Sequence, residues 1–290
     1  MNSGNTSAKT KSPELISEKI LSGKFASHRY FARNTIGRDI VVGDIHGHFD
    51  VLEKALREID FDTARDRLFA LGDLVDRGPN SPAALEWLNQ YWFNSVIGNH
   101  DLSHVLAAER EHISNTWVLD MIVPTRDDWA ANCAPAVYSA LVAEFSRLPL
   151  AISIEMSLGN VGLVHAELPH GYRTWDSFVQ AIDAESIDDG ALWMATSERL
   201  LDLLPVKTRA DLKFFVPDVL AIFHGHTIPW LKQPVKVGNH HYIETGAYLR
   251  ARTGRDGGGF TLVDIEHPNE PLLAAWWPRS SGAPDDLRTK

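Results

Sequence analysis

The sequence predicts an α/β protein in which two sheets stack as a sandwich with helices on the outside. Two observations carry that expectation. Five short glycine-flanked motifs each follow directly on an apolar run, and the first three runs alternate with helical patterns in the order β-α-β-α-β. Right-handed crossovers make such strands parallel, and open α/β sheets build their sites where such strands end. The motifs are Gly43-Asp44-Ile45-His46-Gly47, Gly72-Asp73-Leu74-Val75-Asp76-Arg77-Gly78, Gly98-Asn99-His100-Asp101, Val164-His165-Ala166 and His224-Gly225-His226-Thr227.

Taken in order, the first predicted element is a short helix. Ser12 is its cap, Pro13 its first residue and Gly23 its stop. A strand over Arg38–Val42 runs into Gly43, and Phe49, Leu52, Leu56 and Ile59 then recur at helical spacing. The next strand is Arg67–Leu71. Ser81-Pro82 is expected to cap a helix carrying Leu85 and Leu88, and Phe93–Ile97 is the third strand. Residues 102–148 read as a mostly helical insert with breaks at Pro124 and Pro135. Leu150–Met156 and Val161–His165 read as a hairpin joined by Leu158-Gly159-Asn160. A second helical insert covers 173–215, followed by a strand at Val219–Phe223. A hairpin of Val235–Val237 with His241–Ile243 and a final strand at Phe260–Ile265 complete the series. This outlines a polar tail with one helix over 1–28, one domain over 29–275 and a second tail over 276–290.

Composition narrows the function. With 290 residues, 44% of them hydrophobic and 23% charged, the chain has the make-up of a soluble globular protein. A net charge of −10 opposes nucleic-acid binding, which needs a basic footprint. No apolar run reaches a membrane span, and the polar start Met1-Asn2-Ser3-Gly4 has no secretory core. The expectation is a cytoplasmic protein, a monomer or a weak oligomer. Cys133 is the only cysteine, so no thiolate cluster can hold a metal.

Any metal must then use imidazole, amide and carboxylate. Asp44 and His46 alternate along an extended stretch, which puts both side chains on one side, able to hold one ion. Asn99, His165 and His226 supply a second site. Asp73 is the natural bridge, because a carboxylate has two oxygens. Such donors suit Mn²⁺ first, with Fe or Zn²⁺ as alternatives. Two divalent ions about 3.5–4 Å apart can clamp a phosphate and share a hydroxide that attacks phosphorus in line. His100 follows Asn99 but is expected to point elsewhere and, with Asp76, to form a general-acid pair for a leaving alkoxide. Arg77 offers a fork for phosphate oxygens.

These blocks resemble the phosphoprotein phosphatase branch of the calcineurin-like metallophosphoesterases, most closely its bacterial and phage lambda-type serine/threonine protein phosphatases. Trp92-Phe93, His165-Ala166-Glu167-Leu168-Pro169, Phe223-His224-Gly225-His226-Thr227 and Tyr242-Ile243-Glu244-Thr245-Gly246-Ala247 extend the resemblance over roughly residues 38–265. It implies a sandwich of two mixed sheets flanked by helices, with a helical cap. It also implies one metal site of Asp44, His46 and Asp73, and another of Asp73, Asn99, His165 and His226. His100 with Asp76 matches the acid pair. Arg77, with Asn99 beside it, matches the phosphate site.

Three departures stand out. Asp101 replaces the family's usual Glu, and Ile97 stands where the lambda type has Arg. Trp193 is followed by Met194 and Ala195, not by an Arg two residues on. Arg199 is either a displaced phosphate clamp or a surface partner of Glu198. The resemblance implies a metal-dependent phosphomonoester hydrolase acting on phosphorylated proteins or small phosphoesters. The alternative is a symmetrical dinucleoside-tetraphosphate hydrolase, since Gly-Asn-His-Asp also occurs in such relatives. Asp101 and the missing arginines favour the alternative, whereas Val75-Asp76-Arg77 and Gly225-His226-Thr227 favour the first. A catalytically silent binding module is a third reading, opposed by the intact ligand set and acid pair. His224 is expected to be a packed histidine. His104, His112, His170, His240, His241 and His267 are expected on loops or the surface.

Overall fold

The computed structural model describes residues 27–108, 129–199, 215–254 and 258–278. The helix predicted from Ser12 to Gly23 and His112 lie outside them. The described chain forms two mixed sheets with helices outside, as the element order predicts. Strands β1 (His28–Phe31), β5 (Ala151–Met156), β6 (Gly159–Val164), β7 (Ala221–His224), β9 (His240–Tyr242) and β8 (Val235–Val237) lie side by side in that order in one sheet. The other sheet runs β11 (Leu273–Trp276), β10 (Phe260–Asp264), β2 (Asp39–Val42), β3 (Arg67–Ala70), β4 (Phe93–Ser95). Strands β2, β3 and β4 are parallel, as the crossover argument requires, and so are β6, β7 and β9.

The pleat explains the layering. Side chains alternate along a strand, so Val41 and Phe69 face the space between the sheets, where they cluster with Ile152, Ile154, Leu163 and Phe223. Their neighbours Ile40, Val42, Leu68 and Ala70 face the helices and join Phe49, Leu52 and Leu56 of α1 (Phe49–Glu58). All ten strand residues named here are fully buried, and each large one contributes about 1.5–3 kcal/mol. Because both faces are covered, the β2 and β3 segments read as unbroken apolar runs.

Several predicted elements shift. Ser81 does not cap a helix. It opens a 3-10 turn, Ser81–Ala83, ahead of the short helix α2 (Ala84–Leu88). Its hydroxyl instead accepts the Asp76 backbone N–H at 2.9 Å. The break expected at Pro135 falls at residues 133–134, and Pro135 itself starts the next helix, because proline fits the first helical turn; the break expected at Pro124 lies outside the described residues. The first insert thus contains α3 (Asn99–Ala108), α4 (Trp129–Asn132) and α5 (Pro135–Phe145), and the second contains α6 (Trp175–Asp183) and α7 (Asp189–Ser197). Helix α8 (Ala247–Thr253) follows β9. Gly159 and Asn160 belong to β6, so the β5–β6 turn is tighter than predicted. The sequence reading missed β1 and β11, both edge strands.

Candidate active site

Every ligand-type residue lies just past the carboxyl end of a strand: Asp44 and His46 after β2, Asp73 and Asp76 after β3, Asn99 and His100 after β4, His165 after β6, His226 after β7. The loops are tied to each other through the backbone. The Ile45 and His46 N–H groups both donate to Asp73 O, at 3.2 and 2.7 Å, and the His226 N–H donates to Asp44 Oδ1 at 2.9 Å. Asp101 is fully buried and accepts the Leu74 N–H at 2.9 Å and the Gly98 N–H at 3.0 Å, which joins the Asp73 loop to the Asn99 loop. His46, Asp73, Asp76, Arg77 and His226 all adopt positive φ, between 47° and 68°. Such strain clusters where side chains must be aimed. Gly98 and Gly225 serve another need: a Cβ on either would strike the Asp73 or the Asp44 carboxylate.

Two groups of donors converge. Ligand atoms of His46, Asp73 and His100 lie within 4.8 Å of one another, and so do those of Asp73, His165 and His226. Asp73 is common to both, with Oδ2 3.6 Å from His46 Nε2 and Oδ1 3.4 Å from His165 Nε2. Asp44 stands beside both groups, 3.9 Å from His46 Nε2 and 3.9 Å from His165 Nδ1.

This donor set fits metal ions, and the tautomers show it. His46 Nδ1–H donates to Val75 O, His165 Nδ1–H to Leu71 O and His226 Nε2–H to Ser197 O. Each ring thereby keeps its other nitrogen unprotonated, the arrangement second partners give to metal-binding histidines. Bare Nε2 of His165 lies 3.1 Å from Asn99 Oδ1, so two lone-pair atoms converge where a cation would satisfy both. Burial, foremost, holds His46 and His165 below the usual imidazole range, and with the nearby His165 takes His226 down to about 3. Burial raises Asp44, and the charges of Glu244 and Asp73 raise it further. Such crowding of buried carboxylates calls for positive charge.

His100, a member of the first group, also donates Nδ1–H to Asp76 Oδ2 at 2.7 Å, with Nε2 4.0 Å from Asp73 Oδ2. The Arg77 Nη1–H donates to His46 Nε2 at 2.8 Å, and its Cζ lies 4.3 Å over the Tyr248 ring. Arg199, Lys232, Trp230 and Tyr248 line a cavity of about 450 Å³ next to this group.

The architecture is the one the motifs anticipated, and comparison with known proteins agrees. The model of the calcineurin-like phosphoesterase family matches residues 38–229. The chain belongs to that family. This metallophosphoesterase is a hydrolase of a kind that depends on two metal ions. It is 32% identical over 231 residues to serine/threonine-protein phosphatase 1 of Salmonella typhimurium, covering 78% of this chain and 91% of the relative. It is also 31% identical over 265 residues to the symmetrical bis(5'-nucleosyl)-tetraphosphatase of Methylobacillus flagellatus, again covering 78% and 91%. Among solved structures, a protein described as a candidate diadenosine tetraphosphatase shares the fold, with a TM-score of 0.52 and 24% identity, covering 81% of this chain and 92% of that one. No helix among the described residues of this phosphoesterase is long and apolar enough to cross a membrane.

Three histidines expected on the surface are buried. His240 stacks on His224 at 5.0 Å, and His241 lies against Phe223 at 5.1 Å, because β9 sits inside its sheet with both faces covered. His104 bonds to Asp76 at 3.1 Å. It follows His100 by one helical turn, so the i, i+4 relation would have revealed it. His224 is packed as expected, its Nδ1–H donating to Ala166 O. Sequence reasoning also missed Glu244, which accepts the Asp44 and Gly246 N–H groups, and Tyr248. Burial pushes Glu244 up to about 7.

Proposed function

We propose that this phosphoesterase hydrolyses phosphomonoesters in the manner of the serine/threonine protein phosphatases. The observation that carries the reading is the His100–Asp76 hydrogen bond of 2.7 Å next to the donors gathered round Asp73. Asp44, His46, Asp73, Asn99, His165 and His226 would hold two divalent ions, Mn²⁺ in preference to Fe or Zn²⁺. When bound, the ions supply positive charge to phosphate oxygens and acidify water.

The remaining work belongs to the chain. The Arg77 guanidinium, within 2.8 Å of His46, would swing its fork onto phosphate oxygens, and Asn99 would add its amide N–H. Asp76 fixes the His100 ring through Nδ1–H and would aim its Nε2 toward the reacting centre. Water adds its oxygen to phosphorus and gives up one proton, the ester P–O bond breaks, and the leaving oxygen takes the proton from His100 Nε2, which the proton released by water replaces through solvent. The products are an alcohol and inorganic phosphate.

A second reading has its own support. Arg199 and Lys232 beside the aromatic rings of Trp230 and Tyr248 would suit a nucleoside polyphosphate, and a tetraphosphatase is among the relatives. The test is a Mn²⁺-supplemented panel of p-nitrophenyl phosphate, phosphopeptides and dinucleoside tetraphosphates, compared by kcat/KM. Phosphopeptides turned over at least tenfold better than the dinucleotides support the first reading. The reverse order replaces it with the second.

A further inference from the structure

The His100–Asp76 pair is not self-contained. Asp76 Oδ2 is taken by His100, while Oδ1 accepts two further N–H groups, from His104 Nε2 at 3.1 Å and Trp129 Nε1 at 2.6 Å. An ionised carboxylate only accepts, so His104 carries a proton on Nε2. In the neutral ring Nδ1 then accepts from the Tyr138 O–H at 3.1 Å. The His104 ring centre lies 5.0 Å from that of Trp129 and 5.8 Å from that of Tyr138. Trp129 sits in α4 and Tyr138 in α5, so both come from the first insert. Trp129 reaches Asp76 across 53 residues of sequence, and Tyr138 reaches His104 across 34.

Two physical consequences follow. The torsion that sets a carboxylate plane is broad, so an Asp held by one oxygen can turn away from its histidine. Donors on both oxygens fix that plane. Three N–H groups also spread the negative charge, which keeps Asp76 ionised and unable to take His100's proton. Burial alone would raise Asp76, but the hydrogen bonds from His100 and His104 bring it below the usual carboxylate range.

We propose that His104 and Trp129, with Tyr138 behind His104, are positioning residues that lock Asp76 for the acid step. The first insert would then take part in turnover as well as in substrate choice. The proposal rests on the reading of His100 as general acid.

Its test uses the full Mn²⁺-supplemented chain and two substrates, phenyl phosphate with a poor leaving group and p-nitrophenyl phosphate with a good one. Trp129→Phe keeps the ring and removes one donor, Tyr138→Phe removes the hydroxyl behind His104, and His104→Ala removes the link outright. Thermal melts and metal content check that each variant is folded and loaded. General acids contribute about 10²–10⁴-fold. Trp129→Phe is therefore expected to slow phenyl phosphate about tenfold and p-nitrophenyl phosphate less than about threefold, with both metals retained. In an Asp76→Asn background the same change is expected to have no further effect, because groups acting as a unit are not additive. Equal losses for both esters, or full additivity with Asp76→Asn, would overturn the proposal. His100→Asn run alongside separates the two failures. If it is selective for the poor leaving group while Trp129→Phe is not, only the positioning role falls. If His100→Asn is itself unselective, the acid assignment falls and takes the proposal with it.

Discussion

Asp101 is the residue whose removal the structure prices most directly. Its two oxygens accept the Leu74 and Gly98 N–H groups at 2.9 and 3.0 Å, and the side chain is fully buried. Asp101→Ala leaves both donors without a partner. Each buried orphan costs about 1–3 kcal/mol, so the sum is roughly 2–6 kcal/mol, and water entering the small void brings it to about 3 kcal/mol. For a chain of this size that lowers Tm by roughly 6–12 °C. Asp101→Asn keeps one acceptor and is expected to lose about half as much. The effect on the metals is separate. Leu74 follows Asp73 and Gly98 precedes Asn99, so the clasp sets the spacing of two proposed ligands. Loss of such a support typically costs 10–100-fold in metal affinity. Scanning calorimetry with and without Mn²⁺, paired with metal analysis, reads both quantities. An Asp101→Ala protein that melts within about 2 °C of the parent and retains both ions would refute the clasp.

Other perturbations test neighbouring parts of the account. Asp73→Asn is expected to lose at least one ion and nearly all turnover, because an amide cannot offer two anionic oxygens; elemental analysis showing two ions at normal activity contradicts the shared role. Arg199→Ala is expected to lower kcat/KM about tenfold, roughly 1.4 kcal/mol, and more for dinucleoside tetraphosphates than for p-nitrophenyl phosphate if the adjoining cavity holds a nucleoside; an unchanged kcat/KM leaves Arg199 as the neighbour of Glu198. Asp66 is 5% exposed and accepts Arg38 Nη2 at 2.6 Å and the Arg38 N–H at 2.8 Å. Burial alone raises Asp66, but these bonds bring it below its ordinary value, so its contribution is full above about pH 3.9 and fades as pH falls through the folded value. Asp66→Asn is therefore expected to cost roughly 1–3 kcal/mol at pH 7, with solvent at the half-covered Arg38 favouring the low end. Urea melts in which that gap persists undiminished at low pH contradict the assignment.

What the sequence disclosed follows from distance along the chain. Each ligand motif is local: an apolar strand, a glycine and a donor, all within a few residues. Strand pairing then brings five such ends together without further information. Pairings that depend on distant segments left no trace. Glu244 accepts the Asp44 N–H across 200 residues, and nothing near either residue signals it. Trp129 reads as a packing residue until α4 is placed over Asp76. Strands β1 and β11 were illegible for another reason. His28-Arg29-Tyr30-Phe31 is half exposed at a sheet edge and so lacks an apolar run, and Leu273-Ala274-Ala275-Trp276 has weak strand-forming residues at its centre. Ser81 misled because its hydroxyl had two uses, a helix cap or the Asp76 backbone, and the sharp turn at Asp76 claimed it.

That turn shows why the site needs so large a scaffold. His46, Asp73, Asp76, Arg77 and His226 all sit at positive φ and none is glycine. A left-handed residue with a Cβ costs about 1–2 kcal/mol, so the five together cost on the order of 5–10 kcal/mol. That is comparable with the whole net stability of an ordinary domain. Glycine would relieve the strain at each position, but each position also needs a donor or a charge aimed inward. Glycines therefore occupy the neighbouring places where only close approach is required, as at Gly98 and Gly225. The offset comes from the strands that precede the loops, where Val41, Val42, Phe69 and Ala70 are buried on both faces of their sheet. A core substitution such as Phe69→Ala, between the sheets and not itself a donor, should then loosen the site before it unfolds the chain. Phe69 lies four residues before Asp73, the first strained position after its strand. The expected result is weaker Mn²⁺ binding together with a stability loss of about 3–5 kcal/mol. Retention of full metal affinity in a protein destabilised by that amount would show that the loops hold their shape independently of the core.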